Sequence, residues 1–490
     1  MIYQSTRSNE QSSDVRAVLQ GLAHDGGLFV SPDIPALGFD AEACLGLAPL
    51  DMARTVVSAL LPGFEDMGTL IRQAYEGRFE TQELTPLVPL GEDYLLELFR
   101  GPTSAFKDVA LSLLPRLISA ARRQEGISGD TVILTATSGD TGKAALEGFH
   151  DVEGTRIFVF YPAGGVSPIQ RAQMVTQQGK NVCVCAVRGN FDDCQSAVKS
   201  AFAEIERGKL LQGSGLGLSS ANSINIGRLV PQAVYYFAAY ARLLERGRIR
   251  PGDRVDFVVP TGNFGDILAG YMAKLMGLPV GKLVCASNAN RVLTDFFQTG
   301  RYDRRREFIR SSSPSMDILI SSNLERLLFL CSGGDTALVR RCMEALAREG
   351  VYTVPESVMG KIRESFDAGC CGEGETGETI GRTWREKNYL CDTHTAVALK
   401  VAEDYKARRQ GDAPVVTLST ASPYKFPGAV LSAIGGDRAG DEFSQLHRLS
   451  ELTGVPIPKG LAGLKDMPER HRDVIDRDGL LPYILKKLEV

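Results

Sequence analysis

Short apolar runs alternate with stretches of helical periodicity over most of the chain after about residue 101. The runs are rich in Val, Ile and Leu and are nearly continuous, as in "TVILTAT" and "RVDFVVPTG". They lie at 131–137, 156–162, 181–189, 254–262, 282–288 and 414–422. Parallel strands are covered by helices on both faces, and their sequences are therefore apolar without interruption. The pattern predicts an α/β protein built on parallel sheets.

The first part of the chain has a different pattern. Helical periodicity at 50–64 follows a turn segment, rich in Gly and Pro, at 24–39. Residues 85–100 alternate as strands do, and two prolines in this stretch suit an edge strand. A chain of 490 residues is long for one core, so we expect a small leading domain followed by larger ones.

Two polar stretches, at about 301–315 and 370–388, are interpreted as loops or insertions. The net charge of −4 and the pI near 5.9 do not favour nucleic acid or an anionic membrane as a partner. The ten cysteines lie mostly inside strand-like or helix-like patterns and have no zinc-site spacing. We therefore expect reduced cysteines, no metal and a cytoplasmic location.

A Gly-rich turn follows the first apolar run, in "TATSGDTGKAALEGF". Its residues are Thr137, Ser138, Gly139, Asp140, Thr141 and Gly142. Backbone N–H groups at such a turn converge on an anion at the start of a helix. A P-loop needs four residues between its first Gly and its Gly-Lys pair. Only two residues separate Gly139 from Gly142, so a nucleotide-binding kinase or ATPase stays a remote alternative.

A second turn of this kind lies in "VVPTGNFGDILAG", where Gly262, Asn263, Phe264 and Gly265 follow a buried strand. It lacks the dinucleotide pattern G-x-G-x-x-G, and alone it is weak evidence. Two such turns in one α/β chain favour an anionic cofactor or substrate at the carboxyl ends of the strands.

Lys107 lies where the breakers of "GPTSAFKDVALSLLP" give way to a helical stripe that includes Val109, Leu113 and Leu117. Thr103 and Ser104 are candidate caps for this helix. One interpretation is a surface lysine whose stem covers apolar groups. The other is a buried amine, because burial and the positive helix end both lower a lysine pKa. A neutral amine is a nucleophile toward an aldehyde.

Six segments together resemble the threonine synthase family, from about residue 1 to about residue 430 in the same order. The segments are "ELFRGPTSAFKDVA", "TSGDTGKAA", "ANSINIGRLVPQAVYYF", "VVPTGNFGDILAGYMAKLMGLP", "PSMDILISSNLERLLF" and "DTHTAVA". The leading "QGLAHDGGLFVSPDIP" is similar to the bacterial and yeast-like branch. The resemblance implies a pyridoxal-phosphate enzyme of fold type II, the tryptophan-synthase β-like fold, with two parallel-sheet domains. The implied domains are 1–90, 91–215 and 216–490.

The resemblance also implies which residues bind the cofactor. Lys107 would form the Schiff base with pyridoxal 5'-phosphate and later shuttle protons. Thr420 would face the pyridine nitrogen, and Asp140 would lie beside the phenolate oxygen. A carboxylate would repel that oxygen unless it were protonated or paired. The cofactor phosphate would be held by Thr261, Gly262, Asn263, Phe264 and Gly265.

The implied substrate is O-phospho-L-homoserine, which with water gives L-threonine and phosphate by γ-elimination and β-addition. The implied substrate-binding residues are Thr137, Ser138, Thr141, Asn222, Ser223, Arg228 and Lys425. A phospho-amino-acid lyase that releases a keto acid stays an alternative, because it would use the same Lys107 and Arg228. We expect no nucleic-acid or membrane partner, and a monomer or homodimer. Thr393 and Ser422 depart from the family's usual Pro and His.

Overall fold

The computed structural model describes residues 1–37, 46–137 and 139–490 of this chain. Its strands are β1 (Ile2–Ser5), β2 (Gln11–Ser13), β3 (Phe29–Val30), β4 (Leu87–Leu90), β5 (Asp93–Glu97), β6 (Thr131–Ala136), β7 (Thr155–Pro162), β8 (Val182–Val187), β9 (Gly217–Ser219), β10 (Val255–Pro260), β11 (Val280–Ser287), β12 (Arg301–Asp303), β13 (Val351–Thr353), β14 (Phe366–Cys370), β15 (Val415–Ser419) and β16 (Val474–Ile475).

The described α-helices are α1 (Asp14–Gln20), α2 (Pro49–Leu60), α3 (Met67–Tyr75), α4 (Lys107–Gln124), α5 (Asp140–Phe149), α6 (Pro168–Val175), α7 (Phe191–Gly208), α8 (Ile226–Leu229), α9 (Ala233–Glu245), α10 (Gly265–Leu275), α11 (Val292–Thr299), α12 (Leu324–Cys331), α13 (Thr336–Arg348), α14 (Glu356–Ser365), α15 (Glu373–Lys387), α16 (Thr393–Arg408), α17 (Pro427–Ala433), α18 (Glu442–Thr453) and α19 (Leu480–Leu488). Short 3₁₀ turns lie at Val230–Gln232, Pro314–Met316, Pro423–Lys425, Leu464–Asp466 and Arg477–Gly479.

Two parallel sheets carry the architecture. The larger has the order β14-β11-β10-β15-β5-β4, and it is parallel except for the antiparallel edge pair β4–β5. The smaller has the order β16-β8-β7-β6-β9 and is parallel throughout. Every residue of β10 and β15 is buried, as expected for strands covered on both faces. The six apolar runs of the sequence form β6, β7, β8, β10, β11 and β15, which confirms the predicted fold class.

The N-terminal part forms a three-stranded antiparallel sheet, β2-β1-β3, with helix α1 packed against β1 and β2. Helices α2 and α3 pack on each other. Helix α3 packs on α4, the helix that begins at Lys107. The boundaries at residues 90 and 215 stay predictions. The sheet pairing joins β5 to β15 and β16 to β8, so each parallel sheet draws on distant parts of the chain.

The loop prediction for 370–388 is wrong, because most of this stretch forms helix α15. Three glycines inside the helix and a fourth at its N-cap, Gly372, lower helix propensity, and the polar composition hides the buried face. That face consists of Thr376, Thr379, Ile380, Gly381 and Thr383. Packing of α15 against α16 and α17 overrides the weak local preference.

Among the described residues, no helix is long and apolar enough to cross a membrane. The same residues contain no group of three or more His, Cys, Asp or Glu side chains arranged to hold a metal ion. The nine described cysteines are free thiols, and most are buried. Cys44 and the end of the 24–39 turn segment lie outside the described residues.

Candidate active site

Lys107 is the first residue of helix α4, and the loop before it is bonded to the end of strand β15. The Phe106 N–H donates to the Thr420 carbonyl at 2.8 Å, and the Ser422 N–H donates to the Ser104 carbonyl at 3.1 Å. Residues 105 and 421 form an isolated antiparallel bridge between these two bonds. The pairing places Lys107 and Thr420, which are far apart in sequence, at one point of the fold.

The Lys107 amine is enclosed by polar and aromatic groups. Only 9% of the residue is exposed. Its Nζ lies 3.5 Å from Ser315 Oγ, 3.9 Å from Asp140 Oδ2 and 4.6 Å from the centre of the Phe106 ring. Burial lowers the Lys107 pKa to about 8; Asp140 opposes this, and the cation Arg228 adds to it. The neutral fraction at pH 7 is therefore a minority, but it is much larger than that of an ordinary lysine, which favours the buried-amine interpretation of this lysine.

The carboxylate of the neighbouring Asp108 is hydrogen-bonded by Thr103. The N–H and hydroxyl of Thr103 donate to it at 2.8 and 2.5 Å, and burial raises its pKa to about 6. The expectation that Thr103 or Ser104 caps helix α4 is therefore wrong. Phe106 occupies the N-cap without a side-chain bond, and Asp108 ties down the preceding loop instead.

Asp140 begins helix α5 and is held as an ion pair. Lys425 Nζ lies 2.8 Å from its Oδ1, and the Gln170 amide donates to the same oxygen at 3.1 Å. Burial raises the Asp140 pKa, but Lys425 and then Lys107 outweigh it and hold the pKa well below its usual range. The carboxylate is thus ionised, and the ammonium of Lys425 balances its charge. Paired in this way, it can lie beside a phenolate oxygen without repelling it.

The Gly-rich turn that precedes α5 is stabilised by its own threonine. Thr137 Oγ1 accepts from the N–H groups of Gly139 and Gly142 at 3.0 and 2.9 Å. Gly139 has φ of 145°, and a Cβ there would lie 2.4 Å from Gln170. The hydroxyl of Thr137 therefore shapes the turn, and Thr141 is half-buried in the first turn of the helix. Ser138 lies outside the described residues, and the substrate roles of all three stay predictions.

The second turn joins strand β10 to helix α10. The Thr261 hydroxyl donates to the Val259 carbonyl at 2.7 Å. Phe264, the N-cap, has φ of 65° and makes no side-chain capping bond. A buried non-glycine residue in the left-handed region is unusual and marks functional turns. Its ring packs against Phe297 and Phe366, with centroids 6.0 and 5.9 Å away, and this packing stabilises the turn. No side chain caps the N–H groups at the start of helix α10, so they can bind an anion.

Asp266 follows this turn in the first turn of α10. Its Oδ1 accepts from the hydroxyls of Tyr235 and Tyr236, the latter at 3.1 Å. Burial raises its pKa to about 7 despite these bonds. A carboxyl group with a raised pKa repels a nearby anion less than an ordinary aspartate does. Asp266 was not among the site residues predicted from the sequence.

Arg228 is a buried cation on helix α8. Its guanidinium donates to the Ala221 carbonyl at 2.8 Å, and burial lowers its pKa to about 10. No carboxylate in the described part of the chain forms an ion pair with it. A buried, uncompensated charge is costly unless a ligand of opposite sign completes it. Arg228 is therefore a candidate for binding an anion.

The segment 321–323 joins the segment that carries Arg228 to the turn after β10. Ser321 Oγ donates to the Gly262 carbonyl at 2.8 Å. The Asn323 amide donates to the carbonyls of Asn263 at 2.9 Å and Ser223 at 3.1 Å. The two segments 222–228 and 261–265 are thus held side by side. The "SSN" motif contributed to the family resemblance, but no site role was predicted for it.

Arg326 connects the same segments to the N-terminal sheet. It is fully buried, and its guanidinium donates to the Phe29 carbonyl at 2.9 Å and the Ile224 carbonyl at 2.6 Å. A third bond goes to Asn323 Oδ1. Asn225 adds a second link, because its amide donates to the Val18 carbonyl at 2.9 Å. The leading part of the chain therefore supports the Arg228 site directly.

The two departures from the family pattern have local roles. Thr393 is the first residue of helix α16, a position at which a proline loses no helical bond, so Pro and Thr both fit. Ser422 Oγ accepts from the Tyr424 N–H at 3.3 Å and caps the 3₁₀ turn that carries Lys425. Lys425 donates to Asp140 and, at 3.0 Å, to the Thr103 carbonyl. Its predicted role in binding substrate stays a prediction.

These residues fit pyridoxal phosphate. A Cβ at Gly262 would lie 2.6 Å from the Ser315 carbonyl, so the turn approaches its neighbour as closely as only glycine allows. The uncapped turn suits the cofactor phosphate, Lys107 suits its aldehyde, and the buried Asp140–Lys425 pair lies beside Lys107. Fold and site together define a pyridoxal-phosphate-dependent enzyme of fold type II.

The chain belongs to the threonine synthase family. Residues 2–75 match the family described as threonine synthase N terminus, residues 80–421 match pyridoxal-phosphate dependent enzyme, and residues 395–479 match threonine synthase, C-terminal. These matches confirm the predicted family, fold type and cofactor.

Individual relatives agree with this assignment. Threonine synthase of Pseudomonas aeruginosa is 42% identical over 441 residues, covering 88% of this chain and 90% of that protein. Threonine synthase-like 1 of Macaca fascicularis is 39% identical over 460 residues, covering 90% of this chain but 60% of that protein. The chain thus spans about 60% of the length of the threonine synthase-like 1 relatives it matches. The crystal structure of PLP-bound threonine synthase from Brucella melitensis has 39% identity and a TM-score of 0.88, covering 100% of this chain and 98% of that one.

Proposed function

We propose that this protein converts O-phospho-L-homoserine and water into L-threonine and phosphate. The observation that carries the proposal is the pair of anion sites held side by side by the segment 321–323. The turn 261–265 suits the cofactor phosphate, and the buried Arg228 suits a second phosphate. A substrate with its own phosphate, bound next to a phosphorylated cofactor, requires such a pair.

The proposed cofactor contacts are those named from the sequence: Lys107, Asp140, Thr261, Gly262, Asn263, Phe264, Gly265 and Thr420. When bound, pyridoxal phosphate supplies an electron sink for negative charge that develops on the substrate carbons. A hydroxyl at Thr420 does not hold a proton on the pyridine nitrogen as a carboxylate does. The Asp140–Lys425 pair brings no net charge to the phenolate.

Lys107 is the proposed proton carrier. With its pKa lowered to about 8, its Nζ is neutral in part of the population and can take a proton from the substrate's α carbon. It then takes part in removing a β proton as phosphate leaves the γ carbon. The two protons taken from the α and β carbons are returned to the γ and α carbons. Water adds its hydroxyl at the β carbon, which completes threonine, and the remaining proton of water ends on the released phosphate. The enclosed position of Nζ excludes competing water from these transfers.

Arg228 is proposed to hold the substrate phosphate, with Asn222 and Ser223 as further donors. A guanidinium binds phosphate through two parallel hydrogen bonds, which also orients it. The Ser223 hydroxyl lies 3.2 Å from that of Ser322, so the two hydroxyls stand together at the edge of the site. Orientation matters here because the phosphate is the leaving group.

The test is simultaneous detection of phosphate and threonine after incubation of the holoenzyme with O-phospho-L-homoserine. Equal amounts of the two products support the proposal. Phosphate with a keto acid and no threonine would instead identify a phospho-amino-acid lyase, and nucleotide binding without a pyridoxal chromophore would identify the remote alternative. A cytoplasmic location and a monomeric or homodimeric state stay predictions from the sequence.

A further inference from the structure

Ser315 lies between the catalytic lysine and the buried ion pair. Its Oγ is 3.5 Å from Lys107 Nζ and 3.4 Å from Asp140 Oδ2, while these two atoms are 3.9 Å from each other. The lysine donates to the hydroxyl, and the hydroxyl donates to the carboxylate. Distances at the long end are usual for catalytic hydrogen bonds before substrate binds.

The backbone of Ser315 is fixed on two sides. Its N–H donates to His394 Nε2 at 3.1 Å. Its carbonyl lies so close to Gly262 that a Cβ there would be 2.6 Å away. The serine sits in the 3₁₀ turn Pro314–Met316, between the cofactor-phosphate turn and helix α16. A side chain on a turn held this way has little freedom to leave its position.

His394 is itself held by a carboxylate. Its Nδ1 lies 2.6 Å from Asp392 Oδ2, and the other Asp392 oxygen accepts from the Thr395 N–H at 3.0 Å. A backbone N–H can only donate, so Nε2 must accept and the ring proton must be on Nδ1. All three residues are buried. The imidazole is thus fixed as the neutral tautomer that can hold Ser315.

We propose that Ser315 is a catalytic residue, whose hydroxyl links Lys107 Nζ to the buried Asp140–Lys425 pair, and that His394 is the positioning residue that keeps it there. When Nζ takes a proton from substrate, one N–H of the new ammonium donates to Ser315 Oγ. The Ser315 O–H keeps donating to Asp140 Oδ2, so no proton is lost and the negative charge of Asp140 stabilises the ammonium through the hydroxyl. The lone pair of the neutral amine stays available for the substrate. This inference rests on the proposed role of Lys107 as proton carrier.

Other charged groups also act on the lysine. Asp140 favours its ammonium most among them, Arg228 and Lys425 disfavour it, and Asp108 contributes least. Lys107 in turn partly offsets the burial that raises the pKa of Asp266. His394 is linked to this group by the hydrogen bond from the Ser315 N–H. Substitution of Ser315 leaves all of these charges in place, so it isolates the contribution of the hydroxyl.

The test is trace acetylation of lysine amines at a series of pH values. It uses the full-length protein from which pyridoxal phosphate has been removed, so that the Lys107 amine is free to react. Mass spectrometry follows the Lys107 peptide, with exposed Lys199 as the internal standard. The wild-type midpoint for Lys107 is expected near its pKa of about 8. In Ser315→Ala the ammonium loses a hydrogen bond, so the midpoint should fall on the order of one pH unit. Ser315→Thr keeps a hydroxyl and should keep the wild-type midpoint.

Three further variants complete the experiment. Ser312→Ala is the matched control, because this neighbouring serine contacts Glu373 through its backbone N–H, and the midpoint should not move. His394→Ala should lower the midpoint as Ser315→Ala does, and His394→Gln, which keeps an acceptor, should restore it. If Ser315→Ala does not fold, Ser315→Cys removes the strong donor at similar size.

An unchanged midpoint in the folded Ser315 variant overturns the proposal for the hydroxyl. An unchanged midpoint in His394→Ala overturns the positioning role. The products of the wild-type enzyme are measured in a separate experiment. Failure to form threonine there contradicts the proposed function, whereas the midpoint of Lys107 in the Ser315 variants still decides whether the hydroxyl acts on the lysine.

Discussion

Lys425 Nζ lies 2.8 Å from Asp140 Oδ1, and both side chains are buried. Asp140 follows β6 of the smaller sheet and Lys425 follows β15 of the larger one. Their pairing gives Lys107 a neighbour that is charged yet compensated. An unpaired carboxylate at this place would hold Lys107 as ammonium and repel the cofactor's phenolate. The pair allows the lysine pKa to stay lowered.

The pair should matter for stability as well. Lys425→Met leaves a buried carboxylate without its main partner, which typically costs about 3–5 kcal/mol. Urea unfolding monitored by fluorescence measures this loss. The matched control is Lys465→Met. Lys465 forms a similar pair with Asp441, at 2.9 Å, but about half of each of these two side chains is exposed. A surface pair is worth about 0–1 kcal/mol. Equal losses in the two variants would contradict the account.

Cofactor capture should depend on the protonation of Lys107. Its pKa of about 8 lies below the ordinary value of 10.5, so the neutral, reactive fraction rises with pH and levels off above about 8. The measurement is the initial rate of absorbance change when pyridoxal phosphate is added to the cofactor-free protein at a series of pH values. A rate that keeps rising to the ordinary lysine pKa would show that Nζ is not desolvated.

Lys107 should also be the covalent anchor. Borohydride reduction of the holoenzyme, followed by peptide mass spectrometry, should find the pyridoxyl group on Lys107. Lys107→Ala should lose both the label and the activity, while Lys199→Ala, at an exposed helix position, should lose neither. A label on another lysine in the wild-type protein would refute the assignment.

Loss of Arg228 should weaken substrate binding but not cofactor binding. Arg228→Ala removes the buried, uncompensated guanidinium and should raise KM for O-phospho-L-homoserine at least tenfold, the order expected for one charged hydrogen-bonding group. Cofactor content, read from the absorbance of the purified protein, should change little. Arg246→Ala, at an exposed position after α9, is the control. Equal losses of affinity for O-phospho-L-homoserine and of cofactor content would indicate that Arg228 binds the cofactor phosphate instead.

Gly262 should tolerate no side chain. A Cβ there meets the Ser315 carbonyl at 2.6 Å, and neither backbone can retreat without displacing the turn 261–265 or Ser315. Gly262→Ala should therefore lower cofactor affinity and activity together. Gly377→Ala is the contrasting change, because nothing lies within 4 Å of its Cβ and it sits inside a helix. It should stabilise the protein by about 0.5–1 kcal/mol. Wild-type cofactor affinity in Gly262→Ala would contradict the proposed cradle.

The sequence predicted the sheets well because a strand covered on both faces is apolar throughout, a signal local to six or seven residues. The two Gly-rich turns and Lys107 were found for the same reason, since each lies at the end of such a strand or the start of a helix. Helix α15 was missed because its glycines and polar residues weaken every local signal, and it forms by packing on its neighbours.

The partners of Lys107 could not be predicted from local pattern. Ser315 is 208 residues from Lys107 and 175 from Asp140. It lies in a segment that carries the family resemblance, but no local pattern predicts its contact with Lys107. Arg326 looks like a helix-surface arginine in sequence, yet it is fully buried between the N-terminal sheet and the Arg228 segment. Only the folded chain shows which polar residues meet.

The most direct test of the proposed reaction follows the oxygen atoms. The holoenzyme is given O-phospho-L-homoserine in water labelled with heavy oxygen, and both products are analysed by mass spectrometry. Elimination at the γ carbon breaks the carbon–oxygen bond, so the released phosphate should carry no label, and the hydroxyl of threonine should carry one labelled oxygen from water. Labelled phosphate with homoserine as the other product would mean hydrolysis at phosphorus and would contradict the account.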